Sequence, residues 1–292
     1  MKHIFVNLKR FDVPPESGGV NRLTPSDKWA EHIISGVRTS IAKYPAEQAS
    51  FTFFFPEAHI AQAVAAKGGL PLRIGCQGVH WDDIAQGGNF GAFTTSRPAA
   101  AMAVLGCKAV IIGHCEERRA YAGVLAEGGV TGDAATAAVN RLLGKEIAAA
   151  RARNLELLYC IGEKADEQER WQDVLAAQIE AGLSAVPDGK LIIGYEPVWA
   201  IGPGKTPPDR AYIEKVAHFI KEKAKETRGL PGLPVVYGGG LKADNAAMLA
   251  SIPEIDGGLI ALTRFSGEIG FYPEEYLEIV DLYLRESQKP GR

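Results

Sequence analysis

A closed (β/α)8 barrel of the α/β class, built as a single domain over residues 1–292, is what this sequence predicts. Three observations predict it: eight short apolar runs along the chain, a helical pattern after each, and no composition break that would mark a linker. Apolar runs without alternation read as strands buried on both faces of a parallel sheet. Eight such units in strict alternation favour a closed barrel over an open doubly wound sheet.

The runs are Ile4–Val6, Phe51–Phe55, Leu72–Cys76, Ala109–Ile112, Leu155–Ile161, Leu191–Tyr195, Val235–Tyr237 and Leu259–Leu262. The first helix is expected to begin near Thr24-Pro25-Ser26-Asp27, a capping residue followed by proline at an early helical position, and to continue through Trp29, Ile33, Ile34 and Val37. Later helices are expected at about 60–67, 98–105, 135–153, 168–183, 209–227, 244–250 and 274–286. Their apolar positions repeat every three or four residues, as at Ile213, Val216, Ala217 and Ile220. The alanine-rich stretch 134–152 contains Arg141, Lys145 and Glu146, and so reads as helix rather than low complexity.

Composition narrows the function. A hydrophobic fraction of 46%, 23% charged residues and a mean hydropathy of −0.05 describe an ordinary globular chain, and disordered or fibrous classes are excluded. Thirty-two basic against 35 acidic residues give a net charge of −3, which argues against nucleic acid or an anionic membrane as partner. Cys76, Cys107, Cys115 and Cys160 form no C-x-x-C pair, so neither a disulfide framework nor a structural zinc site is expected, and a cytoplasmic location is the simplest reading. The Met1–Val6 segment is too short to be a signal peptide, and no apolar run approaches the roughly 18 residues of a membrane span.

In such barrels chemistry gathers where strands end at their C-terminal side. Strand one ends in Asn7-Leu8-Lys9, strand four in Gly113-His114-Cys115-Glu116, and strand six in Tyr195-Glu196-Pro197. An isolated Lys9 reads as a solvated charge, but Asn7 two residues earlier on the same strand face favours inward placement. His114 reads either as a structural histidine or as a neutral donor, since a helix beginning at that point disfavours the imidazolium. Glu196 either just terminates its strand or is used, and an ionisable group at the end of so apolar a run is expensive unless paired or used. The following segment, Pro197-Val198-Trp199-Ala200-Ile201-Gly202-Pro203-Gly204-Lys205-Thr206, has stiff ends around a glycine-rich tip, as a rigidly moving lid would. A P-loop is discounted because Trp199 stands where its first glycine is required. Tyr237-Gly238-Gly239-Gly240 is either an anion cradle or plain turn geometry.

These segments, with Gly75-Cys76-Gln77, Gly91-Ala92-Phe93-Thr94 and Cys160-Ile161-Gly162-Glu163, occur in an order that resembles the triosephosphate isomerase family over nearly the whole chain. The resemblance implies a TIM barrel with Glu196 as the proton-moving base, His114 as the neutral electrophile and Lys9 as a cation toward the enediolate and phosphate. It implies support from Asn7, from Cys115 at a position that is usually serine, and from Glu116 paired with Lys9. Phosphate would meet Gly202, Gly240 and the strand-eight loop Ala261-Leu262-Thr263-Arg264. No metal or organic cofactor is implied, since abstraction of a proton beside a carbonyl needs only a base, an electrophile and exclusion of water.

The chain departs from the family pattern where strand eight ends. Gly-Gly is usual there, and Ala261-Leu262-Thr263-Arg264-Phe265 replaces it, followed by an extra stretch through Tyr272. Either the loop bends outward with Arg264 solvated, or Arg264 or Thr263 contacts a displaced phosphate or a longer substrate. The loops after strands 1, 3 and 8 are enlarged. Glu117 looks like an insertion, Ser96 stands in place of a usual glutamate, and the third loop, 79–90, implies a homodimer by resemblance. The leading expectation is interconversion of dihydroxyacetone phosphate and D-glyceraldehyde 3-phosphate, which belongs to glycolysis and gluconeogenesis. The alternatives are the same chemistry on a four-carbon ketose phosphate such as a tetrulose phosphate, a non-catalytic sugar-phosphate-binding barrel, and, more weakly, a phosphate-binding lyase barrel.

Overall fold

The structure, a computed structural model, describes residues 1–184, 186, 191–202 and 204–289. Eight strands follow one another in a closed order: β1 (Lys2–Asn7), β2 (Ala49–Phe55), β3 (Leu72–Cys76), β4 (Ala109–Ile112), β5 (Glu156–Ile161), β6 (Leu191–Tyr195), β7 (Val235–Tyr237) and β8 (Gly257–Ile260). Pairing is parallel, and Ile4 lies opposite Phe51 of β2 on one side and Gly258 of β8 on the other. Between the strands run α1 (Trp29–Ile41), α2 (Glu57–Lys67), α3 (Ala99–Val104), α4 (Cys115–Glu127), α5 (Gly132–Ala152), α6 (Trp171–Leu183), α7 (Arg210–Arg228), α8 (Ala246–Ala250) and α9 (Pro273–Ser287).

The contacts group the chain into two compact units. The first comprises residues 1–77, 105–109 and 236–292, and the second comprises 78–104 and 110–235. In the first, all seven residues of β2 are buried. Its aromatic side chains serve both faces of the strand: Phe54 stacks on Phe5 with ring centroids 5.8 Å apart, while Phe53 meets Tyr276 of α9 edge-on at 5.1 Å. The Phe54 ring occupies the space a side chain on Gly75 would need, since a Cβ there would lie 2.5 Å from the ring. Glycine in the middle of β3 is thus explained by the phenylalanine beside it.

In the second unit, α7 buries Ile213, Val216, Ala217, Ile220 and Ala224, the stripe its sequence spacing predicts. Asp209 caps it by accepting from the Tyr212 N–H at 2.8 Å, and Gly229 ends it in the left-handed region at φ 64°.

Two expectations are corrected. Between β4 and β5 there are two helices rather than one, because α4 precedes α5. None of the α4 residues is buried, so it lacks the apolar stripe by which the others are recognised. Strand β8 occupies 257–260, two residues earlier than its apolar run suggests, so the altered loop begins at Ala261. Among the described residues, no helix is long and apolar enough to cross a membrane.

Candidate active site

The first unit holds Asn7 and Lys9 at the end of β1. Asn7 is buried, and its Oδ1 accepts from the Lys9 N–H at 3.1 Å. Lys9 has a left-handed backbone at φ 42°, a conformation that costs of order 1–3 kcal/mol outside glycine and must be held by its surroundings. Gln77, just after β3, does the holding. Its Nε2 lies within donating distance of the Lys9 carbonyl at 3.1 Å, Asn7 Oδ1 at 3.3 Å and the Phe54 carbonyl at 3.2 Å.

The second unit holds His114, Cys115 and Glu196. His114 is the N-cap of α4, and its Nδ1 accepts from the Glu116 N–H at 3.2 Å. A nitrogen that accepts an amide hydrogen bond carries no proton, so the ring is neutral and its proton sits on Nε2. Nε2 points toward Glu196, with Oε1 3.2 Å away. Glu196 is only 1% exposed, and its Oε2 accepts from the Cys115 N–H at 2.8 Å. The ligand-type atoms of this trio lie within 4.8 Å of one another. Backbone amides already use one lone pair of the imidazole and one of the carboxylate, so the trio reads as an acid–base group rather than a cation cage.

The turn that carries His114 is gripped from both sides. Arg118 donates from Nε to the Gly113 carbonyl at 2.8 Å, and the Gly113 N–H donates to Glu117 Oε2 at 2.6 Å. Gly113 has φ 78°, and a Cβ there would lie 2.7 Å from the Cys160 carbonyl oxygen, so only glycine fits.

The segment after β6 is tied down by a residue to which sequence reasoning gave no role. Glu163, fully buried after β5, accepts at one oxygen from Trp199 Nε1 at 2.7 Å, Tyr195 OH at 3.0 Å and Tyr212 OH at 3.1 Å. Burial raises its carboxyl above the ordinary range, against the pull of these donors. Val198–Ala200 form a 3-10 turn, Gly202 has φ 122°, and Pro203 lies outside the described residues.

The strand-eight loop folds on itself. The Thr263 and Arg264 N–H groups both donate to the Gly270 carbonyl. Thr263 Oγ1 donates to Glu275 Oε2 at 2.9 Å, Arg264 Nε donates to Glu275 Oε1 at 2.7 Å, and the guanidinium lies 3.8 Å from the centre of the Tyr272 ring. On the neighbouring loop, Gly240 has φ 100° and Lys242 Nζ sits 4.1 Å above the Phe265 ring.

A parallel barrel carrying a neutral imidazole against a buried carboxylate at its strand ends is an acid–base enzyme of the (β/α)8 class. The family model for triosephosphate isomerase matches residues 26–279, and this chain belongs to that family and is an isomerase. It is 33% identical over 211 residues to the triosephosphate isomerase of Herminiimonas arsenicoxydans, covering 70% of this chain and 77% of that one. To the Marinobacter nauticus enzyme of the same name it is 34% identical over 236 residues, 77% and 80% of the two chains. Among solved structures, triosephosphate isomerase from Bartonella henselae superposes with a TM-score of 0.70 at 25% identity, over 97% of this chain and 98% of that one.

Proposed function

We propose that this protein interconverts dihydroxyacetone phosphate and D-glyceraldehyde 3-phosphate through an enediolate. The observation that carries the reading is the His114–Glu196 arrangement: a neutral ring with its proton on Nε2, facing a buried carboxylate at 3.2 Å. Glu196 removes a proton from the carbon beside the carbonyl, and the Nε2 proton is shared with the carbonyl oxygen as negative charge develops there. The same carboxyl then returns a proton to the neighbouring carbon, while the hydroxyl oxygen gives up its proton and the former carbonyl oxygen takes one, so carbonyl and hydroxyl exchange places with no external electron carrier. Lys9 supplies positive charge toward the enediolate and the phosphate. The phosphate is held by backbone N–H groups at Gly202, Gly240 and Ala261–Leu262. Glu275 holds Thr263 and Arg264 beside that loop.

The altered loop 261–264 motivates one second reading, the same proton transfer on a four-carbon ketose phosphate. Assay of both substrates decides between them, and a kcat/KM far higher on the tetrulose phosphate would overturn the triose assignment. For the mechanism, Glu196→Gln is expected to lower kcat by about 10²–10⁴-fold while the melting temperature stays close to that of the parent. Near-parental turnover would remove Glu196 from its role.

The protein is proposed to act in the cytoplasm as a homodimer joined through the loop after β3. Phe90 on that loop is 89% exposed, which supports a protein partner for this surface.

A further inference from the structure

Glu117 does not project into solvent as an added surface charge would. Besides accepting from the Gly113 N–H, it hydrogen-bonds the side chain of Glu146 on α5. Glu146 is 0% exposed. Its Oε1 accepts from the Tyr121 hydroxyl, while its buried Oε2 accepts no hydrogen bond. Two ionised carboxylates cannot hydrogen-bond one another, because neither has a donor. A proton on Glu146 Oε2 resolves both difficulties at once: it gives that orphaned oxygen a bond to make, and gives Glu117 a donor.

The charged and titratable groups facing the pair are Arg97 from the third loop and Arg118 and Tyr121 from α4. Glu117 Oε1 and Arg97 Nη2 lie 3.0 and 3.4 Å from the point where a Cβ on Gly78 would be. Arg97 thus balances the single negative charge that remains. With one shared proton Glu117 is the anion, which suits its short bond to the Gly113 amide.

We infer that Glu117 and Glu146 form a proton-sharing carboxyl pair that fixes the Gly113–His114 turn through the Gly113 amide, and are positioning residues for the isomerisation. The inference rests on the proposed role of His114. Loss of the shared proton places two like charges side by side in a buried site, and the grip on Gly113 is what yields. Burial pushes the Glu146 carboxyl up to about 9, with the neighbouring Glu117 charge pushing the same way, so the proton is retained at neutral pH.

The test follows two signals across pH 6–10 in the full-length protein: kcat on dihydroxyacetone phosphate, and the ¹⁵N–¹H resonance of the Gly113 amide. In the parent, both are expected to change together on the alkaline side. Glu146→Gln keeps a donor toward Glu117 and an acceptor for Tyr121 but has no proton to lose, and is expected to abolish both changes. Glu117→Ala is expected to lower kcat roughly tenfold at pH 7 with little change in KM, as misplacement of a catalytic group does. A Gly113 resonance that is flat in the parent, or that still titrates in Glu146→Gln, overturns the inference. So does an unchanged kcat in Glu117→Ala. If the parent isomerises no sugar phosphate, the functional reading fails, while the Gly113 titration still decides whether the pair exists.

Discussion

Lys9 shows what the site demands of a single residue. A lysine with φ 42° is strained, and the strain persists because Gln77 ties the Lys9 carbonyl to the Phe54 carbonyl of β2. Gln77→Leu removes that bridge and takes a donor from the Lys9 carbonyl, Asn7 Oδ1 and the Phe54 carbonyl. It is expected to lower stability by about 0.5–1.5 kcal/mol, and to lower kcat/KM although the bonds of Gln77 among the described residues go to Asn7, Lys9 and Phe54. Denaturant unfolding and steady-state kinetics on the same preparation check both effects. Lys9, His114 and Glu196 were legible in the sequence because each is a charged or polar residue directly after an apolar run. Gln77 and Glu117 were not, because their roles depend on partners that folding brings to them: the β1 backbone for one, and Glu146, 29 positions along the sequence, for the other.

At the scale of elements, α4 shows why periodicity gave no extent to a helix whose start at His114 was expected. It buries no residue, and it is fixed instead through its first turns, by the His114 cap and by the bonds that Glu117 and Arg118 make to Gly113. The strand-eight loop is the reverse case. Its departure from the family pattern was plain in sequence, but the direction of Arg264 was not, because the deciding partner is Glu275, in the first turn of α9. Its guanidinium is held there and stacked on Tyr272. Arg264→Ala is therefore expected to leave KM within about twofold of the parent while slightly lowering the melting temperature. A large rise in KM would place this side chain on the substrate instead.

For the whole molecule, the count of eight strand–helix units was legible because each strand's apolar run is intrinsic to the chain, and the closed strand order bears it out. The grouping into two compact units was not, because it depends on contacts among segments far apart in sequence. Two buried groups, one in each unit, contribute in opposite senses to the pH dependence of stability. His3 is desolvated and its folded value falls to about 4 from 6.5, so the unfolded chain binds the extra proton between those values and stability rises with pH across that window. Glu146 works in the opposite sense. Its folded value of about 9 lies above the ordinary 4.5, so the native state holds the extra proton and stability falls as pH rises toward 9. Above pH 6.5 the His3 contribution no longer changes, while that of Glu146 continues to fall. Calorimetric melting temperatures are expected to decline from pH 6.5 to 9 in the parent, and to decline less in Glu146→Gln.

Burial also gives the molecule a practical handle. Of its four thiols, Cys76, Cys107 and Cys160 are packed away in the interior, and Cys115 alone has contact with solvent. A maleimide fluorophore offered to the folded protein therefore has one address, a single peptide bond from His114. Protection of that address by a bound phosphorylated sugar would make the chain its own occupancy reporter.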